Sequence, residues 1–366
     1  MRKKIKFLFM ITGMLFVFAC SLLAPASSVP AAADTEEPQA AASPTVETLA
    51  PTAAGDPIQY LNPRRYRVES VATVTNGGFT LTELQVYQPK PINWDGQEKV
   101  TIEEVSPASV QVGRDDVTGS EMYYWHLANT PAWGRTQDLK YRFTFTAYET
   151  RTAVDPDSVK AYNSLSADYR WYTRAEPYIE SADPQIIALA NRVAGEETNP
   201  YRLARKFYDY VVANARYRLV GKGLLGAKAL LTNGVGECGE YAALFIALAR
   251  VKKIPARSVV GFWAVSGTAQ THVWAEFHLE GVGWIPVDPT VGQSEPYKEG
   301  IPDYYFGNMD NQRVILSKGF NIKLDPPAPE GTVASLLQMP WWWYWGTGGD
   351  ASTVSLEMTT WKVTPN

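Results

Sequence analysis

NGVGECGEYAALFIALARVKKIPARSVVGF, residues 233–262, is the stretch on which the reading of the fold turns. Gly234, Gly236 and Gly239 surround Cys238, so the backbone there can turn tightly and be approached closely. Tyr241, Leu244, Phe245 and Leu248 then recur at helical spacing, and Pro255 lies just past the end. The pattern predicts a helix whose N-terminus carries Cys238, followed by a strand in ARSVVGFWAV (256–265). At a helix start the dipole favours a negatively charged sulfur, and free N–H groups of the first turn can face an oxyanion. Taken alone, a cysteine ahead of a helix is most often an inert buried residue.

Downstream, HVWAEFHL (272–279) alternates like a strand. His272, Trp274, Glu276 and His278 share one face; Val273, Ala275, Phe277 and Leu279 share the other. His272 is one of only three histidines and sits at the strand start. By itself it reads as a satisfied structural histidine. Asp288 follows in GWIPVDPT (283–290), beyond a turn at Gly281–Gly283. The register makes a demand. If Asp288 lies opposite Trp274, it stands diagonally beside His272 on the same face. That needs a loop with an odd residue count, which a glycine at positive φ allows. An even loop without a bulge turns Asp288 away.

Upstream, ADPQIIALANRVAG (182–195) and NPYRLARKFYDYVVANARY (199–217) place apolar residues at three- and four-residue spacings, and Asn199-Pro200 is a helix start. Earlier still, YRVESVATVT, FTLTELQVYQP, KVTIEEVSP and LKYRFTFTAYETRTAV are short alternating runs separated by Gly, Asp, Pro and Asn. They read as an all-β sandwich over 57–155. Helices followed by the strands GWIPVDPT and RVILSKGFNIKL (313–324) argue α+β for 156–325. Residues 326–366 form a C-terminal extension with Trp341-Trp342-Trp343-Tyr344-Trp345 and a last strand-like run, TVSLEMTTWKV. The tryptophan run is an aromatic platform or, in the favoured reading, packing for the tail.

The N-terminus reads as an export signal over 1–20. Arg2, Lys3, Lys4 and Lys6 precede an apolar run, Phe7 to Ala19, short for a bilayer span. Val17-Phe18-Ala19-Cys20 resembles a lipoprotein lipobox with Cys20 as the lipidated residue, although Phe18 is bulky for that motif; a rival cleavage follows Ala31-Ala32-Ala33. Residues 21–56, rich in Ala, Pro, Ser and Thr, read as a flexible tether. With Cys20 in the signal, Cys238 is left as a lone thiol. The net charge of −4 and the lack of a basic patch argue against nucleic acid. Membrane contact is expected only through the signal or lipid anchor.

Three blocks in order carry a family resemblance: Gly236 and Cys238 at a helix start; His272, Trp274 and Glu276 on a strand; Trp284, Pro286, Asp288, Pro289 and Thr290 on the next. Together they resemble the transglutaminase-like superfamily. IPARSVVGF, and YYFGNMDNQR from Tyr304 to Arg313, also resemble that family, so the likeness covers roughly 156–325. It implies a papain-like α+β core, a Cys helix on an antiparallel sheet, preceded here by the sandwich-like domain. It implies a Cys-His-Asp triad with Cys238 as nucleophile, His272 as base and Asp288 as orienter, and the N–H of Cys238 as an oxyanion donor. One departure stands out. Eukaryotic transglutaminases use an upstream tryptophan near the oxyanion; here Trp171 is the nearest, and Tyr217 is the substitute in the better region. Trp274, Tyr217, Gly236 and Gly239 are therefore the expected substrate-binding positions. Neither a cofactor nor a metal is expected, since no ligand spacing is present.

The implied activity is acyl transfer at an amide bond of a protein or peptide through a thioester. Water as acceptor makes a protease or amidase, the favoured outcome; an amine makes a crosslinker. The contrasting reading is a non-catalytic envelope scaffold, whose usual mark is a missing triad residue. Assembly state is not legible in the sequence.

Overall fold

The computed structural model describes residues 55–128, 135–264 and 267–366. The signal, Cys20 and the tether up to residue 54 lie outside the described residues. Among the described residues no helix is long and apolar enough to cross a membrane.

Strands β1 (Ile58–Asn76), β2 (Phe79–Lys90), β3 (Gln97–Ser106), β4 (Val110–Arg114), β5 (Glu121–Ala128) and β6 (Arg135–Thr152) build two antiparallel sheets. From Tyr66 onward every second residue of β1 is buried, the period-2 burial of a strand with one core face. The end of the chain completes both sheets. Strand Val354–Pro365 pairs with β1, with Tyr66 opposite Pro365 and Asn76 opposite Val354. Strand Trp341–Gly349 pairs with β2, with Trp342 opposite Val86 and Tyr344 opposite Leu84. Trp342 and Tyr344 pack on the inter-sheet core of Val68, Val74, Leu84, Val86, Trp125 and Phe143. Trp341 and Trp343 pack on a separate cluster that includes Tyr87 and Tyr124. Trp345 alone of the run is exposed.

Between β6 and Trp341 lies the second body. Its helices are α1 (Ala167–Tyr172), α2 (Pro184–Ala194), α3 (Pro200–Asn214), α4 (Ala227–Asn233), α5 (Cys238–Val251) and α6 (Pro289–Ser294). Asp183 and Asn199 cap α2 and α3 through side-chain bonds to first-turn N–H groups, each followed by proline at the first helical position. The spacing of Tyr241, Leu244, Phe245 and Leu248 foresaw one apolar face on α5. In fact every residue from Gly239 to Arg250 is buried. Ala242, Ala243, Ala247 and Ala249 let neighbouring helices close on its remaining sides, as in a central core helix.

The antiparallel sheet has the order Gly283–Val287, Gln270–Leu279, Ala256–Trp263, Arg313–Lys318. Val273, Ala275, Phe277 and Leu279 join the α5 core. RVILSKGFNIKL is not one strand: Gly319, at φ +93°, breaks it after Lys318. The other face of the sheet meets the sandwich. The Gln97 side chain of β3 donates to Ile315 O (2.9 Å) and accepts from Ile315 N–H (2.8 Å), standing in for a strand neighbour. Thr150 of β6 exchanges two backbone hydrogen bonds with Met309, and Tyr304 Oη donates to Glu149 at 2.7 Å.

Candidate active site

Cys238 is the first residue of α5, half-buried and free. Its position is held by the two acids on either side of it. The Glu237 carboxylate accepts N–H bonds from Val220 (2.5 Å) and Gly221 (2.7 Å). The Glu240 carboxylate accepts from Glu237 (2.9 Å) and Leu225 (2.8 Å). Together they pin loop 218–226 against the helix start. The sequence reading passed over both acids, because their partners are main-chain groups that leave no side-chain pattern. The glycines here make room for the protein's own groups. A Cβ at Gly236 meets Glu240 Cβ at 2.8 Å, and one at Gly239 meets Leu224 Cδ1 at 2.8 Å.

His272 is buried near the start of its strand. Its Nε2 lies 2.7 Å from Asp288 Oδ2, and the Cys238 side chain is close enough to act on the ring electrostatically. With Nε2 engaged, Nδ1 is the nitrogen left for the sulfur. The hairpin that brings Asp288 in has the three-residue loop Glu280–Gly281–Val282, with Gly281 at φ +81° and Gly283 at φ +119°. The pairing runs Leu279 to Gly283 through Ala275 to Val287, so the next position, Asp288, falls beside Trp274. There the strand stops and Asp288 caps α6, with Oδ1 accepting from Val291 N–H at 3.0 Å.

Burial works against charge on the imidazole, but Asp288 and Cys238 outweigh it and lift its pKa to about 9. Burial likewise opposes ionisation of Asp288, yet the charges of His272 and Arg313 bring its carboxyl down to about 2. The two shifts agree in favouring an ion pair.

Arg313 is a residue to which the sequence reading gave no role. Its Nη1 donates to Asp288 Oδ2 at 2.9 Å, and its Nε and Nη2 donate to Asp310 Oδ2 at 3.2 and 3.1 Å. The guanidinium is buried and lies 4.3 Å from the Trp263 ring centroid and 5.4 Å from that of Trp274. The available signal was YYFGNMDNQR itself, which carries both Asp310 and Arg313.

Of the expected substrate-binding positions, Trp274 is buried and stacks on His272, with centroids 6.0 Å apart and planes at 18°. It packs behind the imidazole. Tyr217 is exposed on a short strand paired in parallel with Gly236, its ring 6.4 Å from that of Tyr241. Glu276, on the His272 face, pairs with Arg257 and with Lys318, whose Nζ is 2.9 Å away. Trp284 carries the Arg257 guanidinium 3.9 Å over its ring. His126 lies on the sandwich, and His278 packs at the far end of the strand against Trp284.

A family model described as the transglutaminase-like superfamily matches residues 187–289. An uncharacterized protein of Haemophilus influenzae is 28% identical over 224 residues, 50% of this chain and 58% of that protein. The chain thus spans less than two thirds of this curated relative. Among solved structures, a candidate cysteine protease of Cytophaga hutchinsonii has the same fold. It shows a TM-score of 0.53 and 18% identity over 83% of this chain and 92% of that one. The periplasmic domain of TgpA from Pseudomonas aeruginosa, at 17% identity over 65% and 91% of the two chains, has a TM-score of 0.34, too low to carry an argument. Residues 187–289 thus match the transglutaminase-like superfamily model, and the chain shares its fold with the Cytophaga protein.

Proposed function

We propose that this protein is an exported cysteine enzyme that transfers an acyl group from an amide bond of a protein or peptide, with water as the usual acceptor. The observation that carries the reading is the single imidazole that is bonded to Asp288 and stands close to the Cys238 side chain. His272 holds the proton given up by the thiol, so Sγ attacks the amide carbonyl as the thiolate, and Asp288 holds the ring and its charge. The oxyanion so formed faces the N–H of Cys238 and the first turn of α5. The C–N bond breaks and the amine leaves with the proton from His272. The thioester then meets water, whose proton goes to His272. The acid departs and the sulfur is released as the thiolate beside the protonated His272.

Two features favour water over an amine. The named neighbour from Cytophaga is a candidate protease, and the chain keeps no tryptophan close upstream of Cys238. The leader, which lies outside the described residues, supports export with Cys20 as the lipidated anchor.

The test is to incubate the protein with a peptide library and detect, by mass spectrometry, an acyl adduct on the tryptic peptide containing Cys238. Repeating it with excess primary amine separates hydrolysis from transfer. No adduct on Cys238 together with full turnover by Cys238→Ala would sink the reading.

A further inference from the structure

The Asp288 carboxylate does not end the chain of charges. Its Oδ2 accepts from His272 and Arg313 together, at 2.7 and 2.9 Å. Arg313 then forks to Asp310, which is also buried. A guanidinium alone beside Asp288 would cancel the negative charge that supports the imidazolium. A second carboxylate behind the guanidinium restores it, so Asp288, Arg313 and Asp310 together carry one net negative charge. The planar fork of arginine suits this task, because one rigid group reaches both acids in fixed directions.

We infer that Arg313 and Asp310 are positioning residues for the proposed reaction: they hold Asp288 Oδ2 against the imidazole and set the net charge that the ring experiences. The inference rests on the reading of Cys238 and His272 given above. The sandwich takes part. Gln97 binds both backbone groups of Ile315, two residues beyond Arg313. Thr150 binds Met309, one residue before Asp310. Asn311 Nδ2 donates to Asn62 O at 2.6 Å, and Tyr66 Oη donates to Asn311 O at 3.1 Å.

Other ionisable groups face this chain. Lys298 Nζ is 3.8 Å from Asp310 Oδ2, and the Tyr305 hydroxyl lies 3.2 Å from Asp310 Oδ2 and 3.4 Å from Glu295 Oε2. Tyr66 and Tyr304 also feel Asp310, and Tyr208 feels Asp288. On the imidazole side stand Cys238 and the neutral rings of Trp263 and Trp274. None of these groups supplies the fork.

The experiment is a histidine NMR titration of the full chain, tractable because the sequence holds three histidines, with His272→Gln to assign the signal. Asp310→Asn keeps the shape and removes the charge, so the His272 midpoint should fall by roughly half a unit to one unit. Arg313→Gln should raise it by a similar amount, and the double variant should lie between the two. Opposite shifts that offset each other are not produced by loosened packing. Should Arg313→Gln fail to fold, Asp310→Asn decides alone. The inference is overturned if Asp310→Asn leaves the midpoint in place while Asp288→Asn and Cys238→Ala move it. If those two also leave it in place, the proposed function falls along with the inference.

Discussion

Two buried carboxylates lie on one side of the same sheet, and only one of them is bonded to an imidazole. Glu276 and Asp288 are almost fully enclosed, and cations bring both below the ordinary carboxylate range against the opposing effect of burial. Glu276 is met by the guanidinium of Arg257 and by the Lys318 ammonium, which burial holds below the ordinary lysine value. Asp288 is met by Arg313 and by an imidazole, which can release its proton, with a thiol beyond it. Burial and charge pairing are therefore common to both sites. What differs is a partner that can release its proton and stands close to the half-buried Cys238 thiol.

The contrast can be broken most directly at the reactive side. Cys238→Ala and His272→Ala should each lower turnover by about 10³-fold or more in protein that still folds, read in a substrate-cleavage assay. Asp288→Asn should cost roughly 10²–10⁴-fold, because the ring loses its tautomer and its counter-charge. Full turnover in any of these variants would place Asp288 in the same class as Glu276.

On the other side the expected loss is in stability. Glu276→Gln leaves two buried cations without a partner and should cost about 3–5 kcal/mol in urea denaturation, with Cys238 labelling retained in the folded fraction. A pH series sharpens the comparison. His272 has a raised folded value, so its stabilising contribution is complete below its unfolded value of about 6.5 and is lost as pH rises through about 9. Asp288 has a depressed value, so its contribution is complete above about 3.8 and is lost as pH falls through about 2. Thermal melts of His272→Ala should therefore lack the decline between pH 6.5 and 9. The smallest effect is expected from Glu276→Leu, Lys318→Met and Arg257→Met combined, which exchanges one whole ion cluster for apolar volume. Its stability should stay within about 1–2 kcal/mol of the parent, and its thiol chemistry should be retained.

Local chemistry explains which features could be read in advance. The Asn199-Pro200 helix start is a short-range signal, and the structure uses it as a cap. The hairpin register was readable because Gly281 and Gly283 allow an odd loop, and counting residues then puts Asp288 beside Trp274. Arg313 was not readable in that way. Its place beside Asp288 depends on the edge strand Arg313–Lys318 joining the sheet across Ala256–Trp263, a pairing that no local pattern encodes. Glu237 and Glu240 escaped notice for a related reason: they satisfy backbone groups of a loop brought near by folding. The tryptophan run carries no alternation of its own, and its partner β2 lies some 250 residues earlier, beyond the reach of periodicity.

The pairing of Tyr66 with Pro365 has a consequence for how the protein is made. Roughly three hundred residues must be translated after Tyr66 before its neighbour exists, which at 5–20 residues per second takes about 15–60 s. During that interval one edge of β1 has no native partner and stays open to mispairing. A nascent chain stalled before Val354 should consequently be a better client for a holding chaperone than the finished protein, even though every residue of the thiol site has already emerged.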